Sequence, residues 1–313
     1  MPYPKFDRDK LRIRKLAERK NRVNIEKDNI PLNRKPLNLT NAGYSLIEKT
    51  ADRIKAAREK GSSVILAFGA HVIKNGLAPV LTALMEEGWL THLATNGAGI
   101  IHDWEFAFQG ESSEDVRENV AAGQFGIWEE TGFFLNLALA VGAYEGLGYG
   151  ESIGKMIFNE GLQIPGENEL NDTAISNVSA NHELAASAID LSWIIKKSGL
   201  SAGFMKIPHP FKKYSVQVEA YRLGIPFTGH PMFGHDIIYT HPANCGAAVG
   251  RPAQNDFLAY ADSVSRLEHG VYMSVGSAVM SPMIFEKSLS MSQNLMIQEH
   301  GHIDNHFMLV TDL

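Results

Sequence analysis

Cysteine is almost missing from this chain: Cys245 stands alone among 313 residues. No intramolecular disulfide can form, so the fold rests on packing and hydrogen bonds, nothing calls for an oxidising compartment, and a cytoplasmic location is expected. In Pro242-Ala243-Asn244-Cys245-Gly246 the thiol reads as a small buried group more than as a nucleophile. A dominant charge is missing too. The 29 Lys and Arg against 35 Asp and Glu leave a formal charge of -6, which gives no basic field for a phosphate backbone and excludes sequence-independent nucleic-acid binding. Long apolar runs are absent as well. The most apolar stretch, 133–144, is interrupted by Asn136 and falls short of the ~20 residues that cross a bilayer, so no membrane partner is expected. Residues 1–23 are charged and lack the apolar centre of a signal peptide.

What is present suits a globular enzyme-sized fold, since 44% hydrophobic residues over this length can bury a full core. The pattern assigns 1–48 to a charged amino-terminal arm, solvated over 1–23, and 49–313 to a single α/β domain with a helical insertion at about 110–165. An exposed helix is predicted over 51–60, a strand over 63–68, a helix over 77–87 and a strand over 91–95, with Gly61 and Gly88 closing the helices. That is a βαβ unit, expected to be parallel and right-handed. Residues 112–156 read as helical, with Ser112 or Ser113 capping the first turn, and 159–178 reads as loop. Helices over 182–197, up to Leu223, over 254–267 and over 283–294 then alternate with strands over 225–228, 271–275 and 306–311. The alternation specifies a Rossmann-like, doubly wound, mostly parallel sheet.

Three stretches carry candidate chemistry. Gly69-Ala70-His71-Val72-Ile73-Lys74-Asn75-Gly76 and Thr95-Asn96-Gly97-Ala98-Gly99-Ile100-Ile101-His102-Asp103 each follow an apolar strand. They therefore fall at carboxyl strand ends, where open α/β sheets bind ligands. Their glycines permit close backbone approach to a phosphate, although the spacing is not a GxGxxG fingerprint and plain tight turns are the competing reading. His102-Asp103 offers a proton donor beside a carboxylate, or else a helix start capped by Asp103. The third stretch, 229–241, holds His230, His235, Asp236 and His241. Its density invites a metal, but no helical ligand spacing is present, and a polar pocket is the preferred reading. Ser274-Val275-Gly276-Ser277-Ala278-Val279 repeats the strand-then-small pattern, whereas Glu129-Glu130 reads as a solvated helix face.

In the order of these elements, the chain beyond the arm resembles the deoxyhypusine synthase family. The resemblance implies a homotetramer with a Rossmann-like NAD-binding fold, sites between paired subunits, and aminobutyl transfer from spermidine by oxidation, imine formation and reduction. It implies NAD contacts at Ala70, His71, Thr95, Gly97, Ala98 and Asp103, with Asp236 near the amine or nicotinamide and Thr311 at the last strand end. Two departures stand out. Met280-Ser281-Pro282 occupies the neighbourhood of the family's Lys-His-His run, and the sequence stops at Leu313, before the family's imine-forming lysine segment. The expectation is a deoxyhypusine synthase-like NAD-binding protein that is not a true deoxyhypusine synthase. It would be a transferase- or lyase-type enzyme performing redox-assisted chemistry on an amine or amino-acid-like substrate, as ornithine-using relatives of the fold do. His102 or His235 would be the general acid/base, and Asp236 or Asp103 would hold the substrate cation. The alternatives are a catalytically silent NAD-sensing or scaffold protein and a metal-assisted hydrolase. The apolar stretch 133–144, with Trp128 before it, is expected to exceed what one sheet face covers and so to form an oligomer interface.

Overall fold

The computed structural model describes residues 3–312. The amino-terminal segment leads into β1 (Asn21–Asn24), α1 (Ile25–Asp28) and the long helix α2 (Asn41–Glu59). Next come β2 (Val64–Phe68), α3 (Ala70–Lys74), α4 (Ala78–Glu86) and β3 (His92–Asn96). A long excursion follows through α5 (Gly97–Gln109), β4 (Glu111–Glu114), α6 (Val116–Ala121), α7 (Glu129–Glu145), α8 (Tyr149–Asn159), β5 (Gly161–Ile164), α9 (Glu167–Asn177), α10 (His182–Ser198), β6 (Gly203–Lys206) and α11 (Val216–Leu223). The chain then completes the sheet with β7 (Phe227–His230), α12 (Gly246–Ser265), β8 (Val271–Val275), α13 (Met280–Gln298) and β9 (Phe307–Thr311).

The central sheet has the order β7-β3-β2-β8-β9, and every pairing in it is parallel. Counted along the chain within this sheet, the order is 3-2-1-4-5, a doubly wound α/β sheet whose direction of winding reverses between β2 and β8. β2 is buried along its whole length, which is what a parallel strand covered on both faces requires. Its side chains divide by pleat: Val64, Leu66 and Phe68 join the larger core with Leu81, Met85 and Ile100. Ile65 and Ala67 turn to the other face, against Tyr260 and Val264 of α12 and Phe285 of α13.

The structure revises several sequence expectations. The amino-terminal arm is not solvated along its length. Leu16 and Ile25 are buried, β1 pairs with β4, and Arg8 donates to the Tyr239 carbonyl at 2.7 Å and the Asn244 side chain at 2.9 Å. α2 begins at Asn41, because Thr40 accepts from the Gly43 amide and caps it there. Ser112 and Ser113 lie in strand β4, and the cap of the following helix is Asp115, which accepts from the Glu118 amide. The expected loop over 159–178 holds β5, paired antiparallel with β6, and α9. Strand β5 depends on a partner distant in sequence, and α9 buries only Leu170, so neither leaves a strong local period. The excursion between β3 and β7 carries seven α-helices among the described residues, α5 to α11, and does not end near 165. Finally, Leu135, Leu137, Leu139 and Val141 of α7 are buried within this one chain. The apolar stretch is interior, not surplus surface.

Glycine is required where β2 and β8 end side by side. The Gly69 amide donates to the Val275 carbonyl at 3.0 Å, and a Cβ on Gly69 would lie 1.9 Å from the Gly276 carbonyl oxygen. Gly69→Ala is therefore expected to destabilise the protein by about 1–3 kcal/mol through overpacking. Gly250→Ala in α12, where a Cβ meets nothing within 4 Å, is expected to stabilise by about 0.5–1 kcal/mol from helix propensity. Urea unfolding of both variants checks the contrast.

Candidate functional site

At the carboxyl end of β3 the chain turns straight into α5, whose start is fixed by Asn96 accepting from the Gly99 amide at 3.0 Å. The loop after β7 folds over this point and brings Asp236 onto the first turn of α5. A cavity of about 200 Å³ opens beside it, lined by Lys74 of α3, Ala98 and His102 of α5, Glu114 of β4, and His235 and Asp236 of the loop. All three residues expected to be catalytic, His102, His235 and Asp236, thus share one cavity with one expected cofactor contact, Ala98.

The wall behind His102 is a buried ionic network. Arg19 donates to both oxygens of Glu105, at 2.8 and 2.6 Å, and the two side chains are 2% and 1% exposed. Glu105 also accepts from Thr131 Oγ1 at 2.9 Å and from Ser112 Oγ at 2.5 Å, and Ser112 Oγ lies 2.7 Å from His102 Nδ1. Burial pushes the Glu105 pKa up, but the charged, hydrogen-bonded Arg19 more than offsets this and leaves it below the usual carboxylate range. Burial pushes His102 down to about 4, the opposing pull of Glu105 being smaller. Glu114 is raised, again mainly by burial.

Asp236 has no such compensation. Its Oδ2 is closed off from solvent and has no hydrogen-bond partner, and burial raises its pKa to about 7. The hydroxyls of Tyr149 and Tyr239 are likewise buried without partners, and burial, with the Asp236 charge adding to it, raises the pKa of each. Nearby Asp256 is fully buried and raised to about 8, although it accepts from the Gly150 and Gly229 amides at 2.9 and 2.5 Å.

The remaining expected contacts are not gathered in the cavity. Asp103 is turned into the core, where its carboxylate accepts from Ser215 Oγ, the Val216 and Gln217 amides and Gln217 Nε2. With four hydrogen bonds at the start of α11 and full burial, it is turned away from any cofactor or substrate cation in the cavity. Thr95 is buried and donates to the Phe68 carbonyl at 2.9 Å. The glycines expected to admit a phosphate are filled by the protein itself: a Cβ on Gly97 would lie 2.0 Å from Asp236 Oδ2, and one on Gly99 would lie 2.2 Å from Thr95 Oγ1. Ala70 and His71 open α3 with His71 exposed, and Thr311 is exposed at the end of edge strand β9, in register with Val275. His230, His235 and His241 do not converge. His230 is tied to Thr228 Oγ1 at 2.9 Å, His241 lies beside Glu129, and among the described residues no group of three or more His, Cys, Asp or Glu is disposed to hold a metal ion.

Arg19, Lys74, Glu105, Ser112 and Glu114 escaped the sequence reading. Glu105 was accessible to it, because His102 and Glu105 stand three apart on one helix and so share a face. Arg19 was not, since it reaches the site across 86 positions of sequence.

No family model matches the sequence, and no curated protein matches it. Among solved structures, the chain is distantly similar to several, including these three. The ternary complex of AgrE with ornithine and NAD+ is 15% identical with a TM-score of 0.39, covering 86% of this chain and 31% of that one. ArgZ, an arginine dihydrolase from the ornithine-ammonia cycle in cyanobacteria, is 15% identical with a TM-score of 0.36, covering 76% and 25%. A LOR/SDH protein from Methanococcus maripaludis S2 is 13% identical with a TM-score of 0.38, covering 83% and 59%. The chain spans about a third or less of the first two and under two thirds of the last. None of the three is a deoxyhypusine synthase, and likeness of this degree assigns no residue of the site.

The raised carboxyls set a pH signature. An Asp unfolds to a pKa near ~3.9, so groups held at about 7 and about 8 retain protons in the folded state that the unfolded chain has lost. Their contribution to stability is complete below about pH 4 and is lost as pH rises through the folded values. His92, His102, His209 and His230, all depressed chiefly by burial, act in the opposite direction, but only up to about pH 6.5. Between about pH 6.5 and 8 stability is therefore expected to fall. Asp256→Asn, which keeps an oxygen for the two amides, should flatten that fall by up to about 1.4 kcal/mol per pH unit. Denaturation midpoints across this range provide the check.

Proposed function

We propose that the chain binds NAD at the carboxyl ends of β2 and β3 and uses it to oxidise, transiently, the amine of an amino-acid-like substrate held in the cavity. The observation that carries this reading is the pairing of unlike charges in one small space. Lys74 lines it with no ion-pair partner among the described residues, opposite Asp236 with an unpartnered buried oxygen. A lysine for a carboxylate and an acidic group for an amine fit a zwitterion, and about 200 Å³ suits a small one.

The cofactor would be held by Ala98 on the first turn of α5, whose amide a helix leaves without an intrahelical partner, and by Ala70 and His71 at the start of α3, the space over Gly97 being taken by Asp236. When bound, it supplies a hydride acceptor. Asp236, with its pKa near neutrality, is the group that exchanges a proton with the substrate amine. The loop carrying Asp236 and the wall of α5 keep that exchange out of bulk water.

Calorimetric titration with NAD is expected to give a single-site isotherm, and addition of diamino acids should then produce reduced nicotinamide absorbance that Asp236→Asn lowers at least about tenfold. Absence of NAD binding across several buffers would overturn the reading. No deoxyhypusine is expected from spermidine and a lysine acceptor, because Met280-Ser281-Pro282 stands in the neighbourhood of the family's histidine run, and Ser281 there is buried and bonded to the Tyr272 hydroxyl at 2.7 Å. Label transfer from spermidine to an acceptor protein is the measurement that decides it.

A further inference from the structure

His102 enters the cavity from a wall whose hydrogen bonds leave it little choice of tautomer. Glu105, ion-paired to Arg19 and therefore ionised, can only accept. The short contact from Ser112 Oγ must then carry the serine's one proton to Glu105 Oε2. With that proton committed, Ser112 Oγ faces His102 Nδ1 with lone pairs alone, and the contact at 2.7 Å closes only if Nδ1 bears the hydrogen. Nε2 is left as the ring's unprotonated nitrogen, without a protein partner among the described residues, on a residue that lines the cavity.

We propose that His102 is a fixed hydrogen-bond acceptor for an N–H or ammonium group of the substrate, aimed by Glu105 and Ser112, with Arg19 as the positioning residue that keeps the relay ionised. The inference rests on this cavity being the substrate site but not on NAD. The same cavity is lined by Glu114, His235 and Asp236, and the groups that act on the ring itself are Glu105 on its own helix, Lys74 and His71 on α3, and Arg19 from the amino-terminal segment. Burial, and after it the positive charges of Lys74 and Arg19, keep His102 neutral at pH 7 against the pull of Glu105. A neutral imidazole with its lone pair fixed outward binds donors and rejects acceptors, so the cavity should take an amine end and refuse a second carboxylate there.

The test is nuclear magnetic resonance of protein labelled with 15N-histidine, without cofactor, so that failure of NAD binding leaves the result intact. At pH 7 the signal lost in His102→Gln is expected to show a protonated Nδ1 and a bare Nε2. Ser112→Ala should convert it to a mixture of tautomers, and Ser112→Thr, which retains the hydroxyl, should restore it. Propylammonium should shift the Nε2 resonance in the wild type and in Ser112→Thr, while propionate should not. A protonated Nε2 in the wild type, a tautomer indifferent to Ser112→Ala, or a resonance unmoved by propylammonium would each overturn the proposal.

Discussion

Arg19 and Glu105 meet in the protein interior with almost no solvent contact, and the arrangement of the candidate site depends on that meeting. Removing two charges from water costs several kcal/mol each, and the attraction between them compensates only when the remaining lone pairs and protons are also satisfied. Here they are. Arg19 has Asn21 on its Nε and Trp128 under its guanidinium, while Glu105 has Ser112 and Thr131. Loss of one partner would leave the other buried and unpaired, at about 3–5 kcal/mol. The ion pair therefore joins an amino-terminal segment with few apolar residues to a sheet-and-helix body with which it shares no sequence proximity.

The same interaction gives the segment its course. Anchored at Arg19, the chain lays β1 against β4 and places Arg14 in bridge register with Trp128, so β4 is held close to α5. Ser112 and Glu114 of β4 then face the cavity region, Ser112 toward His102 and Glu114 as part of its lining. The opposite wall is set by the sheet. Because β7 pairs with β3 through Asn96 and His230, the loop leaving β7 returns over the start of α5, and the missing side chain at Gly97 lets Asp236 come within contact of the helix. A glycine that resembled a phosphate cradle is the seat of a carboxylate.

The sheet and its flanking helices were legible because their signals are local. Val64-Ile65-Leu66-Ala67-Phe68 is apolar on both faces and bounded by glycines, and the same holds in weaker form for β3 and β8. That the loop with His235 and Asp236 meets His102 was not legible, since the βαβ unit read from the sequence covers only 63–95 and it is the pairing of β7 with β3 that brings the two together. The amino-terminal segment misled because its meaning lies in one long-range pair: Lys and Arg crowding predicts solvation, and a single arginine contradicts it. Asp103 misled in another way. A His-Asp dipeptide suggests joint chemistry, yet adjacent residues on a helix point about 100° apart, so His102 faces the cavity while Asp103 faces α11.

Burial also exchanges the roles that residue type suggests. In water a histidine holds its proton to about pH 6.5 and an aspartate gives it up near 3.9. In this cavity the order reverses, with His102 pushed down to about 4 and Asp236 pushed up to about 7. The physical difference is the company each keeps. Burial disfavours the charged form of each; at His102 the pull of Glu105 is too small to undo it and Lys74 and Arg19 add to it, whereas at Asp236 the buried oxygen has no donor to steady a negative charge. Two titratable groups separated in this way divide the work between them. On the proposed reading the imidazole would receive a hydrogen bond at neutral pH without taking the proton, and the carboxyl would be the group close enough to balance to take a proton and return it.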